Sequence, residues 1–198
     1  MEISDREAIE STFARLRSVL DDVGRLKFHA LTAPERLALL DELEFERRRQ
    51  PAVEHQLIHG LVSESTPGAV GATSWSDALQ QRLRISAAEA KRRLNDAADL
   101  GPRTALTGEA LEPKLGHLAK RQAGGEVGAE HIRIIRKFFD DLPAAVDYQT
   151  RECCEETLAR LAAEHTPEAL RKAADRLAAY LNPDGDFSDV DRAQKRGF

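Results

Sequence analysis

Helix-start signatures recur along this chain so densely that they constrain its fold more than any other feature. A Ser or Thr is followed three residues later by an acidic residue at Ser4 and Glu7, Thr32 and Glu35, Ser74 and Asp77, and Ser86 and Glu89. In that spacing the hydroxyl accepts from a free amide of the first turn, and the carboxylate can reach back to the cap. Thr166-Pro167-Glu168 adds a further start, with proline where a helix tolerates it best. Aromatic residues make up only 5% of the chain, Ala, Leu, Glu and Arg dominate, and no stretch alternates with a period of two. A chain of 198 residues can bury a proper core. The expected fold is all-α: an N-terminal helical hairpin, then a multi-helix orthogonal bundle containing a helix-turn-helix-like unit.

Read from the N-terminus, Ser4 caps a first helix whose Ile9, Phe13, Leu16, Leu20 and Val23 advance by four, three, four and three, a heptad-like seam. Gly24 loosens its end. A second helix opens at Thr32 and carries Leu37, Leu40, Leu43, Val53, Leu57 and Leu61; Pro51 should kink or split it. Residues 1–66 therefore read as a hairpin that packs on itself or against a second copy. Ser65 to Gly71 is a linker. A helical core is expected over 74–182, with helices near 75–83, 87–100, 113–121, 129–141, 144–165 and 167–181. Asn182-Pro183-Asp184-Gly185 is a strong turn, so 183–198 reads as a linker toward a further domain.

Several function classes are excluded. No apolar run approaches the roughly 18 residues that a bilayer span needs. The acidic start Met1-Glu2-Ile3-Ser4-Asp5 is not a basic secretory leader, and a cytoplasmic location follows by default. Cys153 and Cys154 are adjacent, which suits neither a loop-closing disulfide nor a zinc site; they read as small buried residues in a reducing compartment.

Charge is unevenly spread. The net charge is −5, yet Ala78 to Lys137 holds twelve Lys/Arg against seven Asp/Glu, a local +5 that leaves −10 for the rest. A basic middle between acidic flanks suggests a surface for a polyanion; the plain alternative is charge scattered over solvated helix faces.

Two segments could carry that surface. Residues 75–99 read as two helices joined through Arg84-Ile85-Ser86, with the small pair Ala87-Ala88 allowing close crossing. A helical wheel turns Ala87, Ala90, Leu94 and Ala97 inward, and Ala88, Arg92, Asn95 and Asp99 outward. Arg92 and Asn95 are the residue types that reach guanine and adenine edges, while Arg84, Lys91 and Arg93 suit phosphates. Glu89, Asp96 and Asp99 oppose that reading by repelling the DNA backbone. In the second segment, 113–139, Lys120, Arg121 and Arg133 are candidate phosphate contacts. Its second helix, however, is apolar on two sides through Ile132, Ile134, Ile135 and Phe139, the mark of a core element.

Two other motifs fail. His55 and His59 have the i, i+4 spacing of a metal pair, but no third ligand is evident, and Gln56 stands where a metalloprotease needs glutamate. Asp184 to Asp189 begins like a calcium loop, but Asp189 replaces the required glycine and Lys195 the terminal glutamate. No catalytic constellation, cofactor site, metal site or small-molecule substrate site is expected.

Several stretches together resemble the actinobacterial 13E12 repeat family: Leu31-Thr32-Ala33-Pro34-Glu35-Arg36-Leu37, Leu83 to Leu94, Asp99-Leu100-Gly101-Pro102-Arg103, Val127 to Ile132 and Leu181 to Gly185. The resemblance spans most of the chain. The N-terminal region of that family is a domain of unknown function, and its members typically carry an HNH endonuclease domain after it. The resemblance implies an accessory region whose endonuclease domain would lie beyond Phe198, and it transfers no catalytic residue. The leading expectation is a non-catalytic DNA-binding module, with Arg84, Lys91, Arg92, Arg93, Asn95, Lys120, Arg121 and Arg133 on DNA and the N-terminal hairpin able to join two copies. The alternative is an interaction or oligomerisation scaffold that makes no DNA contact.

Overall fold

In the computed structural model, residues 5–105 and 107–182 are described, and they form an essentially all-α chain. Among them are eight α-helices: α1 (Arg6–Arg25), α2 (Ala33–Glu64), α3 (Trp75–Leu83), α4 (Ala87–Leu100), α5 (Gly116–Ala123), α6 (Ala129–Asp141), α7 (Tyr148–Glu164) and α8 (Pro167–Leu181). Ser4, the Asp184–Asp189 turn and the expected linker 183–198 lie outside the described residues.

The caps follow the sequence with informative exceptions. Ser74 and Ser86 accept from the amides of Asp77 and Glu89, as their spacing predicts. Asp5 caps α1, its carboxylate accepting from the Glu7 amide at 3.2 Å. At α2, Glu35 accepts from both the amide and the hydroxyl of Thr32, each at 2.7 Å. Pro51 removes one ladder donor, yet α2 does not split and remains helical from Ala33 to Glu64. α7 starts at Tyr148 rather than near Ala144 because Asp147 accepts from the Thr150 amide, after a turn closed by Val146 donating to Pro143.

α5 starts at Gly116 and not at Pro113, since Leu115 is held in a non-helical conformation with its amide on the Asp99 carbonyl. The connection between α4 and α5 holds a structure the sequence reading missed, a two-residue antiparallel ladder pairing Arg103 with Leu111 and Thr104 with Ala110. Strands that short have no detectable period.

By contacts the chain forms two units, Met1–Leu43 and Glu44–Phe198, dividing inside α2 rather than at residue 66. The N-terminal unit buries none of its described residues. Its expected seam is present on α1, but a hairpin packed on itself would cover it, and Ile9, Phe13, Leu16 and Leu20 all remain about half exposed.

The second unit holds the core. Ile132, Ile134, Ile135 and Phe138 of α6 pack with Cys154, Leu158, Ala159 and Ala162 of α7 and with Leu170 and Ala174 of α8. The helix that the sequence marks as apolar on two sides is thus a core element. A smaller cluster joins Ile58 of α2, Leu79 of α3, and Ala90 and Ala97 of α4. Leu100, one turn beyond Ala97, belongs to the larger core, so α4 serves both clusters. Gly125 allows one close approach: with φ at +78°, a Cβ there would lie 2.8 Å from the Phe45 ring.

His131 and Glu155 fix the helices through polar contacts. The His131 Nδ1 accepts from the Gly128 amide at 3.4 Å, which leaves Nε2–H to donate to the His165 carbonyl at 2.9 Å. One imidazole thereby ties the start of α6 to the connection between α7 and α8. Glu155 of α7, 5% exposed, accepts from the Leu118 amide at 2.8 Å and so caps α5 from a distance. Burial raises its carboxyl above the ordinary range.

Candidate functional site

The eight expected DNA-contacting residues sit on α3 to α6, and most of their charges are already bound. Ser86 starts α4 so that Glu89, Arg92, Arg93 and Asp96 fall within reach of one another at spacings of three and four. Glu89 accepts from Arg92 Nη2 at 2.7 Å and from Arg93 Nε at 2.8 Å. Arg92 also pairs with Asp96. Arg93 reaches back to Glu54 of α2 at 2.7 Å. Arg121 is paired with Glu126, and Arg133 stands 4.0 Å from Glu130.

Asp96 anchors the network. It is 5% exposed and accepts from Arg136 of α6 at 2.8 Å, while the same guanidinium reaches Asp99 at 2.9 Å. Lys114 completes the set, 3.2 Å from Asp99. Three helices and the lead-in to α5 are thus joined by Glu54, Glu89, Asp96 and Asp99 against Arg92, Arg93, Arg136 and Lys114. The hydrogen bonds from Arg92, then those from Arg93, hold the Glu89 carboxyl down at about 2. Burial pushes Asp96 above its ordinary value, partly countered by Arg92 and Arg136.

This arrangement corrects the helical wheel of α4. Ala90 and Ala97 face inward as expected, but Ala87 is exposed. Asp99, expected to face outward, is half-buried under Arg136 and Lys114. Signals for Glu89 with Arg92 and Arg93 lay in the i, i+3 and i, i+4 spacing. Nothing local announced Arg136, 40 residues beyond Asp96, or Glu54, 39 residues before Arg93.

The remaining cations are fewer. Among the described residues Arg82, Arg84, Lys91 and Lys120 make no ion pair, and all four are exposed, as is Asn95. Arg84 ends α3 in the left-handed region, with φ at 55°. Arg82, Arg84 and Lys91 lie around the α3–α4 turn, whereas Lys120 lies on α5.

The other candidates resolve simply. His55 is buried, and His59 is half-buried with Nε2 3.3 Å from the Thr104 hydroxyl. Among the described residues, no group of three or more His, Cys, Asp or Glu is placed to hold a metal ion. Both cysteines are free thiols; Cys154 is buried as expected, but Cys153 is exposed. A cavity of about 630 Å³ opens beside the start of α5. Most of its charged groups are taken: Arg136 and Lys114 hold Asp99, Glu155 holds the Leu118 amide, and Arg151 donates to the Val146 and Pro143 carbonyls. Among the described residues, no helix is long and apolar enough to cross a membrane.

Residues 37–198 match the family described as Domain of unknown function (DUF222). The chain belongs to the DUF222 family. Among its relatives, Uncharacterized protein MT1160 of Mycobacterium tuberculosis (strain CDC 1551 / Oshkosh) is 48% identical, the alignment covering 98% of this chain and 46% of that protein. Uncharacterized protein Rv1128c of strain ATCC 25618 / H37Rv is also 48% identical over 98% of this chain and 43% of its own length. Uncharacterized protein Rv1945 of the same strain is 46% identical over 100% of this chain and 43% of its own length. The DUF222 chain thus spans less than half the length of these curated relatives. No solved structure matches it.

Arg136→Ala leaves buried Asp96 with Arg92 alone, and a loss of about 3 kcal/mol is expected in urea unfolding. Arg6→Ala breaks only the exposed Arg6–Glu10 pair and should cost under ~1 kcal/mol in the same assay.

A pH effect is also expected. Burial holds the His55 imidazole below its ordinary 6.5, with Arg92 in the same direction and Asp96 and Glu54 opposing. The folded chain therefore binds this proton less tightly than the unfolded chain. Its contribution is complete above pH 6.5 and is lost as pH falls through the lower folded value. The Glu89 contribution, by contrast, persists until pH falls from 4.5 toward 2. Unfolding midpoints should drop between pH 7 and 5.5, and His55→Gln should flatten that slope.

Proposed function

We propose that this chain is a non-catalytic interaction module of a longer, cytoplasmic protein, attached to its partner through the N-terminal unit. The observation that carries the reading is the uncovered apolar surface there. Eleven large side chains, from Ile9 to Leu43, are 36–68% exposed, and no described residue of that unit is buried. Scattered exposed leucines are ordinary, but a contiguous apolar helix face is the usual mark of a protein contact. The charge pairing along α4, α5 and α6 supports the same reading, because Arg92, Arg93, Arg121 and Arg133 already have carboxylate partners.

The resemblance to the 13E12 repeat family and the coverage of under half of each relative support an accessory role. In this reading any HNH endonuclease chemistry belongs to another part of the longer protein. Sedimentation from 1 to 100 µM tests the idea. The chain should associate, and Leu16→Asp with Leu20→Asp should abolish association while helix content stays unchanged. A monomer throughout, with α1 amides strongly protected from exchange, would mean the seam is covered within the chain and would overturn the reading.

A second reading, DNA contact through α3 and α4, has one observation in its favour: Arg82, Arg84 and Lys91 are exposed around one turn and make no ion pair among the described residues. Here Arg84 and Lys91 hold phosphates and Asn95 approaches a base edge. Arg84→Glu with Lys91→Glu leaves the ionic network intact. It should lower the salt slope of DNA binding by about two and weaken binding at least tenfold at low salt. Undiminished binding by that double variant rejects this reading.

A further inference from the structure

We infer that the partner of the α1 seam is the α1 helix of a second copy of this chain, aligned antiparallel with Phe13 facing Leu16 of the other copy. The inference rests on the interaction-module reading and supplies its partner. Ile9, Leu16 and Val23 occupy one repeating position of a heptad, and Phe13 and Leu20 the other. Two such helices can pair in either direction, and the residues flanking the seam decide which.

In a parallel pair each residue just before Phe13 or its equivalents faces the residue five places later in the partner. Asp5 then lies beside Glu10 of the other copy, so two carboxylates meet at each flank. Turning one helix around removes that repulsion. With Phe13 opposite Leu16, Ile9 falls opposite Leu20, and Glu10, which Arg6 of its own helix also holds, flanks Arg17 of the other copy twice along one edge of the pair. Arg17 is exposed and has no ion pair among the described residues, so it is free to accept this role. Thr12 meets Val19 on the opposite flank, and no like charges face each other.

The area agrees with a reversible dimer. Seven apolar side chains of α1 and its end, Ile9, Phe13, Leu16, Val19, Leu20, Val23 and Leu26, are 36–57% exposed. At roughly 90 Å² each they offer about 600 Å² per copy. That places the total near 1,200 Å², the lower edge of specific interfaces.

The test uses the full chain carrying Cys153→Ser, which removes the exposed thiol. Under mild oxidation, Ile9→Cys with Leu20→Cys should give covalent dimers. Val23→Cys alone should not, since antiparallel helices hold those two thiols about 25 Å apart. Arg17→Glu should weaken dimerisation at least fivefold, and Glu10→Arg added to it should restore affinity. Efficient cross-linking through Val23→Cys, or association indifferent to both charge changes, overturns the antiparallel pairing while the interaction-module reading stands. A monomer at 100 µM with protected α1 amides overturns both.

Discussion

The pairing of Asp96 with Arg136 is the contact on which the folded unit depends. Asp96 sits on α4, which contributes to both apolar clusters, and Arg136 on α6, which lies in the larger core with α7 and α8. A carboxylate that is 5% exposed is costly to place without a partner, and here it is bound by two guanidiniums. The surrounding ions extend the same logic outward. Arg93 reaches Glu54 of α2, and Lys114 reaches Asp99 just before α5. The relative placement of α2, α4 and α6 is therefore specified by directional ionic bonds as well as by apolar packing.

That network alters what a count of charges means. Between Ala78 and Lys137 positive residues outnumber negative ones, and the excess is real. A polyanion responds to uncommitted charge, however, and the acids inside and outside the segment take up much of it. Glu54 lies well before the basic segment yet neutralises Arg93 within it. The net charge of a sequence window describes a surface only when its ion pairs close within that window.

Local features were legible in the sequence and distant ones were not. Ser74 and Ser86 cap the helices their spacing indicates, and the boundaries of α6 follow from Gly128 and Pro143, because a cap is chemistry among four neighbouring residues. The core role of α6 was readable from Ile132, Ile134 and Ile135, which leave only the face of Glu130, Arg133 and Lys137 to solvent. The start of α5 was missed because the Asp99 carbonyl, 16 residues earlier, holds Leu115 out of the helix, while the cap comes from Glu155, 37 residues beyond Leu118. The engagement of Asp99 was missed for the same reason, since a helical wheel assumes that the face opposite the apolar residues meets water. Pro51 shows the reverse error: its propensity to break a helix is local, and the continuity of α2 overrides it.

The cap on α5 ties that helix to a later part of the chain. Eight residues are too few to hold a helix in isolation, and Leu118 and Gln122 of the Gly116–Ala123 helix are buried against the rest of the fold. The Leu118 amide finds its acceptor only when α7 docks. α5 is therefore completed by a helix that follows it in the chain. A chain ending before Glu155 would lack the carboxylate that accepts from the Leu118 amide, and with it the cap of α5.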